Sequence, residues 1–322
     1  MIHRRGLGLA IPCLLAAPAV RAATTWSIVT EYPATSLPGE GIAHFAQAAT
    51  GGDLTVTAGF DAPGGLRSAS MPRAVADGVV AAADAFAGAM APAMPLLGIF
   101  ALPFLTASAE DARKLWALTR VAVVELLSAR GLRLLYVTPW PPAGIWSRNP
   151  VTSAADLAGL RVRTFDATST ATFSAAGATA EAISFADALP RVRAGTIDAV
   201  LSSGDGGAGA RLWESLPHFT RLDWAWPLSL AFCGNDPLSA LPASAQIALG
   251  RAAQATETRQ WRALDTRIAE NATRMATAGV RQIEPDASLA AALRAAAGPV
   301  TQAWARTAGA AGADLLDQAQ RR

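Results

Sequence analysis

Two arginines on one short stretch are the first candidates for chemistry. In Gly159-Leu-Arg-Val-Arg163 basic and apolar residues alternate. A strand there puts Arg161 and Arg163 on one face and Leu160, Val162 and Thr164 on the other. A guanidinium at the carboxyl end of such a strand can grip a ligand carboxylate through two parallel N–H···O bonds, the strong charge-assisted arrangement. A solvated edge arginine fits the same pattern, and the residues alone leave both readings open. A second candidate is Gly204-Asp-Gly-Gly-Ala-Gly209, which has the G-x-G-x-x-G spacing. It follows a predicted strand, Ile197–Ser202, and precedes a predicted helix, Ala210–Leu216. In that context glycines can admit a pyrophosphate to a helix N-terminus, which opens an exported NAD(P)-type oxidoreductase reading. Against it, Asp205 sets a carboxylate beside the pyrophosphate position. The competing reading is a glycine turn that lets backbone approach a neighbour closely.

The catalytic inventory is otherwise sparse. After the first 22 residues the chain holds two histidines, His44 and His218, and one cysteine, Cys233. A catalytic zinc needs about three protein ligands, and neither an H-E-x-x-H nor a G-x-S-x-G motif occurs. His218, in LPHFT, reads as a capping or packing residue at a helix end, and His44 as a surface or hinge residue. A lone cysteine in an oxidising compartment reads as buried and inert. No catalytic residue, cofactor or metal site is expected.

Composition narrows the class further. The chain has 322 residues, enough for two ordinary domains; 52% are apolar and 16% charged, which excludes a disordered chain. The formal net charge is +2 and Lys114 is the sole lysine, so there is no basic footprint for nucleic acid. Met1–Ala22 has a basic start (Arg4, Arg5), an apolar run and small residues Val20 and Ala22 at the cleavage positions, the pattern of a secretory signal peptide. Both the general and the twin-arginine export routes stay open, and Cys13 leaves with the peptide. Its loss, with three arginines and no acid, takes the formal charge from +2 to −1. The uncharged run Ala85–Leu105 is broken by Pro92, Pro95 and Pro103, so it reads as a buried strand entering a proline-braced loop rather than a membrane span. The mature protein is expected to be periplasmic and not membrane-spanning.

The elements that must position these residues alternate. Strand-like runs (Thr25–Thr30, Leu54–Phe60, Val79–Ala83, Leu132–Thr138, Leu160–Thr164, Ala182–Phe185, Ile197–Ser202) are interleaved with helical patterns. The helices are predicted at Glu40–Ala49, Pro72–Ala76, Ala109–Arg130, Thr168–Ala176 and near Ala186–Ala194. This predicts an α/β fold of sheets covered by helices. Ser244–Gly279 reads as one long helix of a length that bridges two bodies.

Four stretches together resemble the solute receptors of tripartite ATP-independent periplasmic (TRAP) transporters, the dicarboxylate-receptor family. They are MAPAMPLLGIFALPFL (Met90–Leu105), DLAGLRVRTFD (Asp156–Asp166), AGTIDAV (Ala194–Val200) and RLWESLPHFT (Arg211–Thr220). Their order and spacing are similar to the family's across nearly the whole chain. The resemblance implies a two-lobed periplasmic binding protein fold. Lobe I would run over 23–138 plus about 213–235 and lobe II over 139–211 plus about 280–322, with helix 244–279 spanning both. It implies capture of a small organic anion and delivery to the membrane permease subunits. A receptor for a signalling partner would use the same pocket.

Carried over by the resemblance, Arg163 takes the place of the arginine that grips the carboxylate, Asp166 that of a polar pocket residue and Phe185 that of an aromatic packed on the ligand. Ser202 stands where the family has an asparagine. The family's G-x-x-D-G turn reads Asp198-Ala199 here, and Arg148 is out of register for the second basic residue of some members. Trp140 and Trp146 occupy that loop instead. With Trp226 and Tyr32 they complete the candidate ligand-binding set. So many rings beside one guanidinium favour a monocarboxylate with an apolar or aromatic body.

Overall fold

Apolar and alternating runs become strands, fully buried at Ala82–Phe86, Ala143–Ser147, Ala199–Ser203 and Leu228–Gly234 and exposed on one side at Leu54–Gly59. Among the described residues, 24–321 of this computed structural model, eleven strands form two sheets. β1 (Thr24–Thr30), β2 (Leu54–Gly59), β3 (Ala82–Phe86) and β4 (Leu132–Pro139) enter the first. β5 (Ala143–Ser147), β6 (Arg161–Thr164), β7 (Thr179–Ala182), β8 (Ala199–Ser203) and β9 (His218–Thr220) build the second. β10 (Leu228–Gly234) returns to the first sheet and β11 (Arg281–Ile283) to the second. The orders are β2-β1-β3-β10-β4 and β11-β9-β5-β8-β6-β7. β6 runs parallel to β7 and β8, so their carboxyl ends share one edge of the sheet, whereas β5 is antiparallel to β8. The leader read at Met1–Ala22, with Cys13, lies outside the described residues.

Ten helices cover these sheets among the described residues: α1 (Leu37–Ala49), α2 (Met71–Ala76), α3 (Ala87–Met90), α4 (Ala109–Ser128), α5 (Ala167–Ala175), α6 (Phe185–Arg193), α7 (Gly204–Gly209), α8 (Asn235–Ser239), α9 (Ala243–Thr277) and α10 (Ala287–Gln320). Side-chain caps start several of them: Ser36 accepts from the Gly39 N–H, Ser108 from Asp111 and Ser184 from Asp187. The predicted long helix is α9, 35 residues, which packs on α1 and β4 of the first sheet and reaches α7 and β11 of the second. His44 ties α1 to it through a 2.9 Å Nδ1···Oγ1 contact with Thr256. α10 crosses as well. Its first part lies on α5, whereas Trp304 and Leu316 belong to the core beneath the first sheet.

Several elements sit a few residues from their sequence-based positions. The strand expected at Val79–Ala83 forms at Ala82–Phe86, because Gly78 at φ +73° ends the preceding turn and leaves Val79 exposed. The strand expected at Ala182–Phe185 forms at Thr179–Ala182, since Ser184 caps α6 and draws Phe185 into it. His218 lies in β9, not at a helix end, with Nδ1 3.0 Å from the Arg148 carbonyl. Cys233 is buried and free on β10, and burial pushes its thiol up to about 12, so it stays an inert thiol. No helix among the described residues is long and apolar enough to cross a membrane.

Candidate ligand-binding site

The carboxyl ends of β6 and β8 open on a small cavity lined by residues from both sheets, the place where parallel α/β sheets offer ligands their strand ends. Arg163 lies there, 4% exposed, on the face that the alternation predicts. Its Nε donates to the Ile183 carbonyl (2.8 Å) and Nη1 to the Leu201 carbonyl (3.2 Å). Two backbone oxygens thus aim the fork and none neutralises it; among the described residues no carboxylate oxygen comes within 4.0 Å of its nitrogens. Burial pulls its pKa down, with Tyr32, Glu31 and Asp166 acting in the opposite sense. Arg161, at the exposed start of β6, is spent on Asp198 in a two-point pair of 2.6 and 2.7 Å.

The walls are aromatic. Tyr32, just past β1, meets the Trp140 ring edge-on at 4.7 Å and the Phe185 ring at 5.7 Å. Phe185 opens α6 and lies 5.6 Å from the Arg163 guanidinium carbon. Trp140 Nε1 donates to Ser229 Oγ at 3.0 Å, which fixes its plane. Ser202 completes the set at the end of β8. Five predicted residues therefore converge: Tyr32, Trp140, Arg163, Phe185 and Ser202. Two further rings were not foreseen: Phe86 ends β3, Phe165 follows β6, and they meet edge-on at 5.2 Å across the cavity. Position at a strand's carboxyl end is the signal that could have found them.

Three predicted residues are absent from the walls. Asp166 caps α5: its Oδ1 accepts from the Ser169 N–H (2.7 Å) and the Thr168 hydroxyl (2.9 Å). Its Oδ2 has no partner and faces Gly88 of α3, where a Cβ would come within 3.1 Å of it. Burial pushes its carboxyl up, against the bonds from Ser169. Trp146 turns to the opposite side of α7, donating Nε1 to the Ser203 carbonyl (3.1 Å) and packing on Phe219. Trp226 lines a separate cavity with Phe219 and Met275, and its backbone N–H is held by Thr106.

The glycine motif is α7 itself rather than a loop ahead of a helix at Ala210. Ser203 caps it by accepting from the Gly206 N–H (3.0 Å). A Cβ on Gly207 would lie 2.1 Å from the Trp146 ring, and one on Gly206 2.8 Å from Ser202 Oγ. The glycines therefore let a helix press on an indole. Asp205 is buried, taking the Leu37 N–H of α1 at 2.7 Å and Asn271 of α9 at 3.3 Å, with Arg267 at 3.5 Å. The turn joins the two sheets' helices, and the dinucleotide reading fails for that reason. Gly207→Val is expected to destabilise the fold by about 2 kcal/mol or more, through overpacking against a ring that cannot retreat. Gly250→Ala, where nothing lies within 4 Å, is expected to gain about 0.5 kcal/mol from helix propensity. Urea titration of both variants checks this; equal midpoints would refute it.

Residues 30–307 match the family model of the bacterial extracellular solute-binding proteins, family 7. The chain belongs to that family. It is similar to a Bordetella pertussis extracytoplasmic solute receptor that binds pyroglutamic acid, at 28% identity and TM-score 0.87, over 93% of this chain and all of that one. It is also similar to a marine-metagenome TRAP solute-binding protein specific for pyroglutamate, which holds co-purified pyroglutamate (26%, TM-score 0.86, 94% of this chain and all of that one). An Advenella mimigardefordensis sugar-acid-binding protein in complex with galactonate shares the fold at 17% identity and TM-score 0.86, over 93% and 99% of the two chains. No curated protein matches the chain. This receptor is a two-lobed α/β solute receptor of the extracytoplasmic space and a transport component rather than an enzyme. As a member of that family it is an extracellular solute-binding protein.

Proposed function

We propose that the ligand is a small monocarboxylate with a compact apolar or ring-shaped body, the class that includes pyroglutamate. The observation that carries this is the cavity's lining: Arg163 is its one charged side chain among the described residues, and Tyr32, Phe86, Trp140, Phe165 and Phe185 supply rings. One guanidinium balances one carboxylate. A second carboxylate would be buried without a counter-charge, at a cost of several kcal/mol. A sugar acid would need partners for many hydroxyls, and the side-chain hydroxyls there are those of Ser202, Ser203 and Tyr32. Aromatic walls instead reward apolar surface at about 25 cal/mol per Å². The two relatives above 25% identity whose ligand is pyroglutamate agree with this reading.

In this reading Arg163 grips the carboxylate, Ser202 hydrogen-bonds it, and Tyr32, Trp140 and Phe185 enclose the body. Asp166 and Trp146 support the walls from behind, and Trp226 braces the hinge. The lobes that close are 23–138 with about 213–235, and 139–211 with the region from about 280. Helix 244–279 spans both, and the end of the C-terminal helix rests on the first. Calorimetry with L-pyroglutamate, aromatic and 2-oxo monocarboxylates, C4 dicarboxylates and galactonate tests the reading. A cyclic or apolar monocarboxylate is expected to bind tightest; tightest binding of a dicarboxylate or of galactonate overturns it.

A further inference from the structure

Glu31 follows β1 directly, is 4% exposed, and takes no part in the cavity's lining. Its two carboxylate oxygens are divided between the two sheets' elements. Oε2 accepts from the backbone N–H of Ser68, on the first-sheet side, at 2.5 Å. Oε1 accepts from the backbone N–H of Phe185, the first residue of α6 on the second-sheet side, at 3.0 Å. Ser68 is fixed in turn, its Oγ accepting from the Phe86 N–H at 3.1 Å. A first-turn N–H of a helix has no partner within the helix, and burying it bare is costly. A carboxylate at a helix N-terminus also meets the positive end of the helix dipole. The same first turn is held at the rim by Arg67, whose Nη2 lies 2.5 Å from Asp187 Oδ1.

We propose that Glu31 is a positioning residue for ligand retention: a staple across the cleft that holds α6, and with it the Phe185 ring, against Arg163. Phe185 touches the cavity on one side and Glu31 on the other, so pulling the lobes apart must first strip its N–H from Glu31. Dissociation therefore depends on Glu31, whereas entry into an open cleft does not. The retention part rests on the ligand class proposed above; the staple itself does not.

Two measurements separate them. In Glu31→Gln one oxygen becomes an N–H₂ donor that cannot accept a backbone N–H. The Phe185 amide of the ligand-free full chain is then expected to exchange hydrogen at least tenfold faster, with the amides of Val162 and Val200 in the second sheet unchanged. Glu31→Asp keeps the charge but loses a methylene of reach, and is expected to behave the same way. Unchanged Phe185 exchange in Glu31→Gln, or full protection in Glu31→Asp, overturns the staple whatever the ligand is. Stopped-flow fluorescence with L-pyroglutamate is expected to show dissociation at least tenfold faster in Glu31→Gln and association within twofold of the parent. Unchanged dissociation, or a loss confined to association, overturns the retention role. A parent chain that fails to bind L-pyroglutamate overturns the ligand reading and leaves the exchange result to decide on Glu31.

Discussion

Arg163→Ala is expected to weaken ligand binding at least a hundredfold while the protein still folds. The side chain is almost fully buried, and two of its donors are committed to the Ile183 and Leu201 carbonyls, so the fork is aimed before any ligand arrives. Although burial lowers its pKa, a guanidinium begins from so high a value that it stays charged at neutral pH. Removing one partner of a desolvated charge pair costs about 2–5 kcal/mol, and about 2.7 kcal/mol is a hundredfold. Arg163→Lys keeps the charge but loses the planar fork and both carbonyl anchors, and is expected to lose at least tenfold. Calorimetry, with a thermal melt of each variant to verify folding, measures both. Affinity unaltered in Arg163→Ala would place the carboxylate grip elsewhere.

Asp84→Asn is expected to abolish much of the protein's loss of stability between pH 5 and 8. Asp84 lies at the centre of β3, fully buried, with neither carboxyl oxygen in a hydrogen bond, and the Tyr136 hydroxyl beside it is likewise unpartnered. Burial pushes the carboxyl up to about 8. In the unfolded chain the same group titrates near about 3.9. Between those values the folded protein holds a proton that the unfolded chain has released. Stability is therefore intact below about pH 4 and falls as pH rises, by about 1.4 kcal/mol per unit, until the folded group ionises near pH 8. The full span is on the order of 5 kcal/mol. An amide has the shape of the protonated acid and cannot ionise, so the variant should melt well above the parent at pH 8 and close to it at pH 4. Parallel melting curves across that range would show that Asp84 is ionised in the core and compensated.

Much of the arrangement follows from local chemistry. The alternation in Leu160–Thr164 is enough to put Arg161 and Arg163 on one face, because side chains on a strand repeat every two residues. The apolar, proline-free pattern of the long C-terminal stretch is enough for α9, since a helix needs only neighbours three and four residues away. What the residues in order leave undecided is anything settled by a partner far along the chain. Arg161 and Arg163 differ only in that Asp198 reaches one, and two carbonyls with the Phe185 ring reach the other. The stretch read as one loop divides, Trp140 preceding β5 and Trp146 lying within it; Ser229 turns the first toward the cavity and Gly207 receives the second behind it. The G-x-G-x-x-G spacing is the same whether it cradles a phosphate or an indole; Trp146 and Leu37, 61 and 168 residues before Gly207 and Asp205, decide which. Glu31 carries no motif at all, because its role exists only when two sheets approach. Local propensity acts over a few residues, whereas a ligand cavity is closed by contacts whose sequence separation is set by the path of the chain between the lobes.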